Sequence, residues 1–166
     1  NRAHGLKAKP IGNVAAPQVL ILADTKALIL QIASLIKRIA EGYHPLTVDY
    51  VFSGKTEVQK DTTILVSTII QVRNLLQKKT LAMENIDFVV VDEADSVFDA
   101  DLNRNFFQSL ISKLFKAPNF KAIFTSATMT DNFRKAVQSF QEKSNVIQIE
   151  LPVEKLKIKN VQKFMI

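Results

Sequence analysis

The sequence predicts an α/β domain built on a mainly parallel sheet with helices on both faces, and three observations predict it. Short apolar runs rich in β-branched residues, such as Gln18 to Ala23 and Phe88 to Val91, read as buried strands. Between them lie stretches whose apolar residues recur at helical spacing, and such alternation favours parallel strands joined by helical crossovers. The third observation is the stretch Phe88-Val89-Val90-Val91-Asp92-Glu93-Ala94-Asp95, where carboxylates appear at the point at which the strand runs out. Open α/β sheets bind their ligands at the carboxyl ends of the strands.

Taken in order, residues 1–17 carry two Gly, two Pro and no clear periodicity, and read as a mobile lead-in. Gln18 to Ala23 is the first strand. Thr25 to Glu41 follows as a helix apolar on most of its circumference, hence expected to be heavily buried, and it ends at Gly42. Leu46 to Phe52 alternates as a strand does, and Ser53-Gly54 turns the chain. Thr63 to Val66 is a short strand; Ile69 to Gln77 is a helix with Val72, Leu75 and Leu76 inward. After the strand Phe88–Val91, the residues Phe106, Phe107, Leu110, Ile111, Leu114 and Phe115 mark a helix that Pro118 closes. Phe120 to Thr125 is a strand, and Asp131 is expected to cap a helix with Phe133, Ala136, Val137 and Phe140 on its apolar face. Val146 to Glu150 reads as a last strand before a Lys-rich tail. Residues 18–150 are thus expected to form one domain and 151–166 a segment leading out of it.

Composition narrows the function classes. With 166 residues and 47% hydrophobic content, the chain can bury a full single-domain core. The absence of Cys excludes a disulfide scaffold and a thiolate metal site, and fits a reducing compartment, cytoplasmic or nuclear. No apolar run reaches membrane-spanning length, so no membrane partner is expected. The opening residue Asn1, in place of an initiator Met, hints at a fragment. A formal charge of +6 is compatible with a polyanionic partner without demanding one. The eleven Phe fall mostly on apolar helix faces or in strands, so they are expected to pack the core.

The acidic pair is the chemical signal. Carboxylates at a strand end can hold a hydrated Mg²⁺ and orient a water towards a γ-phosphate. Neither His4 nor His44 stands at metal-ligand spacing from Cys or a carboxylate, and Ser126 lacks the G-x-S-x-G elbow of a nucleophile. Gly54-Lys55-Thr56 ends like a phosphate-binding P-loop, but Asp49 occupies the position where that motif needs its first Gly. It reads as a turn.

Asp92-Glu93-Ala94-Asp95, followed about thirty residues later by Ser126-Ala127-Thr128, resembles the amino-terminal RecA-like domain of DEAD-box RNA helicases. The resemblance implies ATP and Mg²⁺ as cofactors, and single-stranded or short duplex RNA as substrate. By the same resemblance Asp92 would hold Mg²⁺ through water and Glu93 would polarise the attacking water. Asp95 would contact Ser126 and Thr128, coupling the nucleotide site to RNA separation. The stretch Ala23-Asp24-Thr25-Lys26-Ala27-Leu28 with Gln31 is similar to the A-P-T-R-E-L segment that grips RNA phosphates. Gly54 looks like a remnant of the double-Gly turn, and Thr68 is what remains of T-P-G-R, so Thr25, Lys26, Gly54 and Thr68 are the implied RNA contacts. Asp24 puts a negative group where a phosphate should approach. The segment from Glu154 to Phe164 is similar to the entry into the second RecA-like domain in the translation-initiation and messenger-RNA-export helicases.

Two departures qualify the resemblance. The sequence contains no G-x-x-x-x-G-K-[ST], and no adenine-reading Gln segment before it. The chain therefore reads as a P-loop-lacking portion of the first RecA-like domain, inactive alone, of a helicase that uses ATP to clamp RNA and separate short duplexes. The competing expectation is a degenerate helicase-like domain that serves as a protein- or RNA-binding scaffold without turnover.

Overall fold

A computed structural model describes residues 10–41, 46–99, 101–142 and 147–149, with the side chains of 101 and 102 left aside. The expected segment 151–166 and most of residues 1–17 lie outside these. Five strands form one sheet in the order β2-β3-β1-β4-β5, and every pair is parallel. They are β1 (Val19–Leu22), β2 (Val48–Val51), β3 (Ile64–Ser67), β4 (Phe88–Val91) and β5 (Lys121–Phe124). The helices are α1 (Lys26–Ala40), α2 (Ile69–Gln77), α3 (Ala94–Asp99), α4 (Asp101–Leu114) and α5 (Asp131–Gln141). No helix among the described residues is long and apolar enough to cross a membrane.

Because strand side chains alternate, the register sorts the strands' residues onto two faces. Leu20, Leu22, Val51, Leu65, Val89 and Val91 join residues of α2, α3, α4 and α5 in the main core. Phe98 and Phe107 are fully buried there, with ring centroids 5.4 Å apart at 76°, and Phe98 stacks on Phe133 at 5.3 Å. Phe124 and Phe140 add a further stacked pair at 5.6 Å. These rings pack the core, as the sequence predicts.

The opposite face holds a smaller core of Ala23, Ile29, Ala33 and Val66 beneath α1. Here the structure corrects an expectation. Only Ile29 and Ala33 of α1 are buried, while Leu35 and Ile39 are 54% and 65% exposed. The helix packs mainly over β2 and β3, and Leu30, Leu35 and Ile39 stand exposed on it. The same face of β4 and β5 is left partly open, with Val90 half-buried and Ile123 exposed.

Four other differences have local causes. The helix α3 begins inside the acidic stretch itself, on Ala94, Val97 and Phe98 as its buried residues. The cap of α5 is Thr130, whose hydroxyl accepts from the Phe133 amide at 3.4 Å, and Asp131 is the first helical residue. Residues 147–149 are not in a strand, and Ile147 and Ile149 are exposed; 146 and 150 lie outside the described residues. The lead-in is packed down where it is described. Ala15 and Ala16 are buried, and the Ala15 carbonyl accepts from the Ala82 amide at 2.8 Å.

The turn at Ser53-Gly54 is a tight one. Phe52 and Lys55 exchange both backbone hydrogen bonds, at 3.2 and 3.0 Å, and Gly54 has φ +97°, a region that L side chains rarely adopt. The side chain that would have been the first P-loop Gly explains this turn. Asp49, 3% exposed, accepts from Lys55 Nζ at 2.6 Å, from the Tyr50 amide at 2.8 Å and from the Gln59 amide at 2.9 Å. Burial pushes its carboxyl up, but the Lys55 hydrogen bond and then the Gln59 and Tyr50 amides outweigh this and hold it below the usual range. Asp49→Asn should lower stability at neutral pH by about 2–4 kcal/mol in denaturant unfolding, since it removes a buried charge from three donors. A lowered folded-state value means that this contribution is complete above the ordinary aspartate pKa of about 3.9 and is lost as the pH falls through the folded-state value. The variant should therefore lack that part of the acid-side slope; an unchanged slope would show that Asp49 contributes none of it.

Candidate functional site

Register builds the site. Leu22, Ser67, Val91 and Phe124 lie abreast as the last residues of β1, β3, β4 and β5. The ladder runs one step further, with the Ala23, Asp92 and Thr125 amides donating to Ser67, Leu22 and Val91 at 3.1, 2.9 and 2.9 Å. Asp24, Thr68, Asp92, Glu93 and Ser126 therefore emerge on one edge.

On that edge the turn after β4 is held by backbone and side chain together. Ala94 is fully buried, and its amide donates to the Thr125 carbonyl at 2.9 Å. Glu93, exposed, sits in the left-handed backbone region with φ 52°. Asp92 Oδ1 accepts from the Thr125 hydroxyl at 2.6 Å and from the Glu93 amide at 3.1 Å.

Asp95 accepts a hydrogen bond from the Thr128 hydroxyl, the contact expected between the two segments. That hydroxyl holds the Asp95 carboxyl below the usual range; partial burial opposes it, and the Ser126 hydroxyl and Ser96 amide add to it. Ser126 itself shapes the turn, donating to the Thr128 carbonyl at 2.6 Å and accepting from the Thr128 amide at 3.3 Å. A third link lies beyond, where the Thr130 hydroxyl donates to Asp99 at 3.0 Å. Thr125–Asp92 and Thr130–Asp99 escape the sequence reading. Their signal is the repetition of Thr at 125, 128 and 130 against Asp at 92, 95 and 99.

The implied RNA contacts occupy the β1 and β3 side of the same edge, except Gly54. Thr25 caps α1, accepting from the Leu28 amide at 3.2 Å, and Thr68 caps α2 in the same way on the Gln71 amide at 3.2 Å. Lys26 is exposed, with Nζ 4.7 Å from the centre of the Phe52 ring. Gly54 is in the turn after β2. Asp24, expected to repel a phosphate, accepts from the Ser96 hydroxyl at 2.9 Å and so ties the end of β1 to α3.

Helix N-termini and a strand-end carboxylate give this edge two capacities: binding phosphate oxygens and holding a hydrated cation. No group of three or more His, Cys, Asp and Glu gathers among the described residues. A single aspartate fits Mg²⁺ held through its water shell, since this ion keeps several waters and takes one or two carboxylates. ATP phosphates would find no Gly-rich cradle in this sequence.

An all-parallel sheet with an acidic turn and a hydroxyl-rich turn side by side on its carboxyl edge defines a RecA-like α/β domain. The sequence matches the family model for DEAD/DEAH box helicase over residues 6–136, and the chain belongs to that family. Among relatives, it is 26% identical over 159 residues to the ATP-dependent RNA helicase eIF4A of Candida glabrata, covering 92% of this chain and 38% of that protein. It is 24% identical over 154 residues to the DEAD-box ATP-dependent RNA helicase CshA of Bacillus cereus, covering 89% of this chain and 28% of that protein. The chain thus spans well under half the length of either relative. The fold is also that of a Saccharomyces cerevisiae Dbp5 variant bound to RNA and ADP BeF3, with a TM-score of 0.68 at 19% identity over 90% of this chain and 38% of that one.

A double-mutant cycle of Asp95→Ala and Thr128→Val should give a coupling of about 0.5–1 kcal/mol, the low end for a charged hydrogen bond because both groups meet solvent. The depressed Asp95 value means that the coupling holds above about pH 4 and fades as the acid is protonated. Zero coupling at neutral pH would show that the contact does not hold the two turns together.

Proposed function

We propose that the protein containing this chain is an ATP-dependent RNA helicase that couples ATP binding and hydrolysis to RNA binding and local duplex separation. One observation carries the reading: Asp92 and Asp95, one turn apart, are each tied by a Thr hydroxyl to the segment after β5. A change at the nucleotide edge would then be felt directly by Ser126-Ala127-Thr128, and through α3 and Asp24 by the end of β1.

In this reading Asp92 holds Mg²⁺ through water, and that ion supplies neutralisation of phosphate charge when bound. Glu93 accepts hydrogen bonds from the attacking water and orients it. Asp95, Ser126 and Thr128 couple the site to RNA. Lys26, Gly54 and the N-termini of α1 and α2, behind Thr25 and Thr68, receive RNA phosphates by charge and by free amides. The phosphate cradle and a second RecA-like domain belong to other parts of the same protein, which acts in the cytoplasm, the nucleus or both. The carboxylate of Asp24 on the RNA edge favours a second reading, a scaffold that binds RNA or protein without turnover.

Phosphoryl transfer depends almost wholly on positioning and electrostatics. The 166-residue chain alone should therefore show no RNA-stimulated ATP hydrolysis in a steady-state assay. The full-length protein should hydrolyse ATP when RNA is added, and Glu93→Gln should reduce the rate at least ~100-fold, the effect typical of losing a positioned general base. Turnover by the isolated chain that Glu93→Gln abolishes would overturn the need for an external cradle. A full-length protein that binds RNA without turnover would select the scaffold.

A further inference from the structure

The strand β2 forms the sheet's edge on the side away from β5. Its Tyr50 and the following Phe52 project from the same face, and their rings lie in nearly parallel planes, 5° apart with centroids 5.9 Å apart. Both are half-buried. Three ammonium groups surround them. Lys55 Nζ lies 3.9 Å from the centre of the Tyr50 ring, Lys37 Nζ 5.1 Å from the same ring, and Lys26 Nζ 4.7 Å from the Phe52 ring.

The lysines differ in what holds them. Lys55 is held by buried Asp49, whose Oδ1 lies 2.6 Å from its Nζ. Lys26 and Lys37 are exposed on α1, and among the described residues no carboxylate lies within 4 Å of either ammonium. An aromatic face is a weak partner for an exposed ammonium. A phosphate is a stronger one, and a lysine that swings to it uncovers the ring. The ligand that takes both the freed cation and the uncovered ring is a polyanion carrying planar π systems. Single-stranded nucleic acid has that composition, and its bases stack on aromatic side chains without regard to sequence. An acidic peptide would satisfy the lysines but leave the rings without a planar partner.

We infer that Tyr50 and Phe52 form a base-stacking platform for single-stranded RNA, with Lys26 and Lys37 releasing their rings to take the flanking phosphates. Asp49 is a positioning residue, setting Lys55 against Tyr50. The inference rests on the RNA-binding reading above and extends it, since the contacts proposed there are all to phosphates. Lys26 belongs to both, and it makes the platform continuous with the N-terminus of α1.

The chain has no Trp, and its second tyrosine is Tyr43, so in Tyr43→Phe the intrinsic fluorescence reports Tyr50 alone. Titration with a short oligouridylate should quench that signal, whereas a matched abasic oligomer with the same phosphates should bind more weakly and leave it unquenched. By anisotropy, Tyr50→Leu should weaken the oligouridylate about tenfold and leave the abasic oligomer unaffected, in line with the value of one base–aromatic stack. Lys37→Gln should weaken both oligomers equally. Oligouridylate binding without Tyr50 quenching, or equal affinity for the base-bearing and abasic oligomers, would overturn the platform while leaving phosphate binding intact. No binding of either oligomer would remove the RNA reading as well. The fluorescence measurement needs no change at Tyr50, so it decides the matter even if Tyr50→Leu fails to fold.

Discussion

The in-register parallel pairing of β1 with β3 and β4 is the constraint on which the molecule depends. Leu20, Leu22, Leu65, Val89 and Val91 are fully buried, so a slip of one residue would turn that entire apolar set to the opposite face. Burial thus fixes the longitudinal position of each strand. The same burial aligns the strand ends, and with them every polar group on the carboxyl edge. No residue of the site has to specify its own place; the core specifies it. Asp92 is where it is because Val89 and Val91 cannot be anywhere else.

Polar contacts then act on a frame already set. Thr125–Asp92, Thr128–Asp95 and Thr130–Asp99 form a seam between the α3 segment and the chain between β5 and α5. Each bond is modest because the seam meets solvent. Beneath it, the half-buried Phe124 interlocks with the buried rings of Phe98, Phe133 and Phe140. The apolar layer therefore resists separation of these elements, while the hydroxyl layer can exchange partners at small cost.

Strands were legible in the sequence because buried parallel strands are written as short apolar runs, and the runs at β1, β3 and β4 have few other readings. The burial of α1 was not. Its apolar circumference records composition, whereas exposure depends on what lies beyond the helix, which a helix's own sequence does not contain. The short α3 was hidden because Asp92 to Asp95 drew attention as chemistry, although Ala94, Val97 and Phe98 carry helical spacing. At the site, the Asp95–Thr128 bond was legible only through family resemblance, since nothing local links residues 33 apart. Thr25 and Thr68 show the reverse case. Their most direct physical role, capping the helices that follow, is a local signal, and the structure shows both hydroxyls engaged in it.

Under the function proposed above, Glu93 carries a tension between folding and chemistry. Its φ of 52° is a conformation in which a side chain bearing Cβ costs about 1 kcal/mol relative to Gly. Its side chain is exposed, and its backbone makes the bonds at this residue, the amide donating to Asp92 and the carbonyl accepting from the Ser96 amide at 3.0 Å. Selection for a well-folded domain alone would therefore move position 93 towards Gly or Asn, the residues that enter this region most readily. Under the same proposal, variants sorted only for thermal resistance and variants sorted only for turnover of the whole protein would diverge at this codon. In that reading, the identity of residue 93 is a record of which demand has governed the chain.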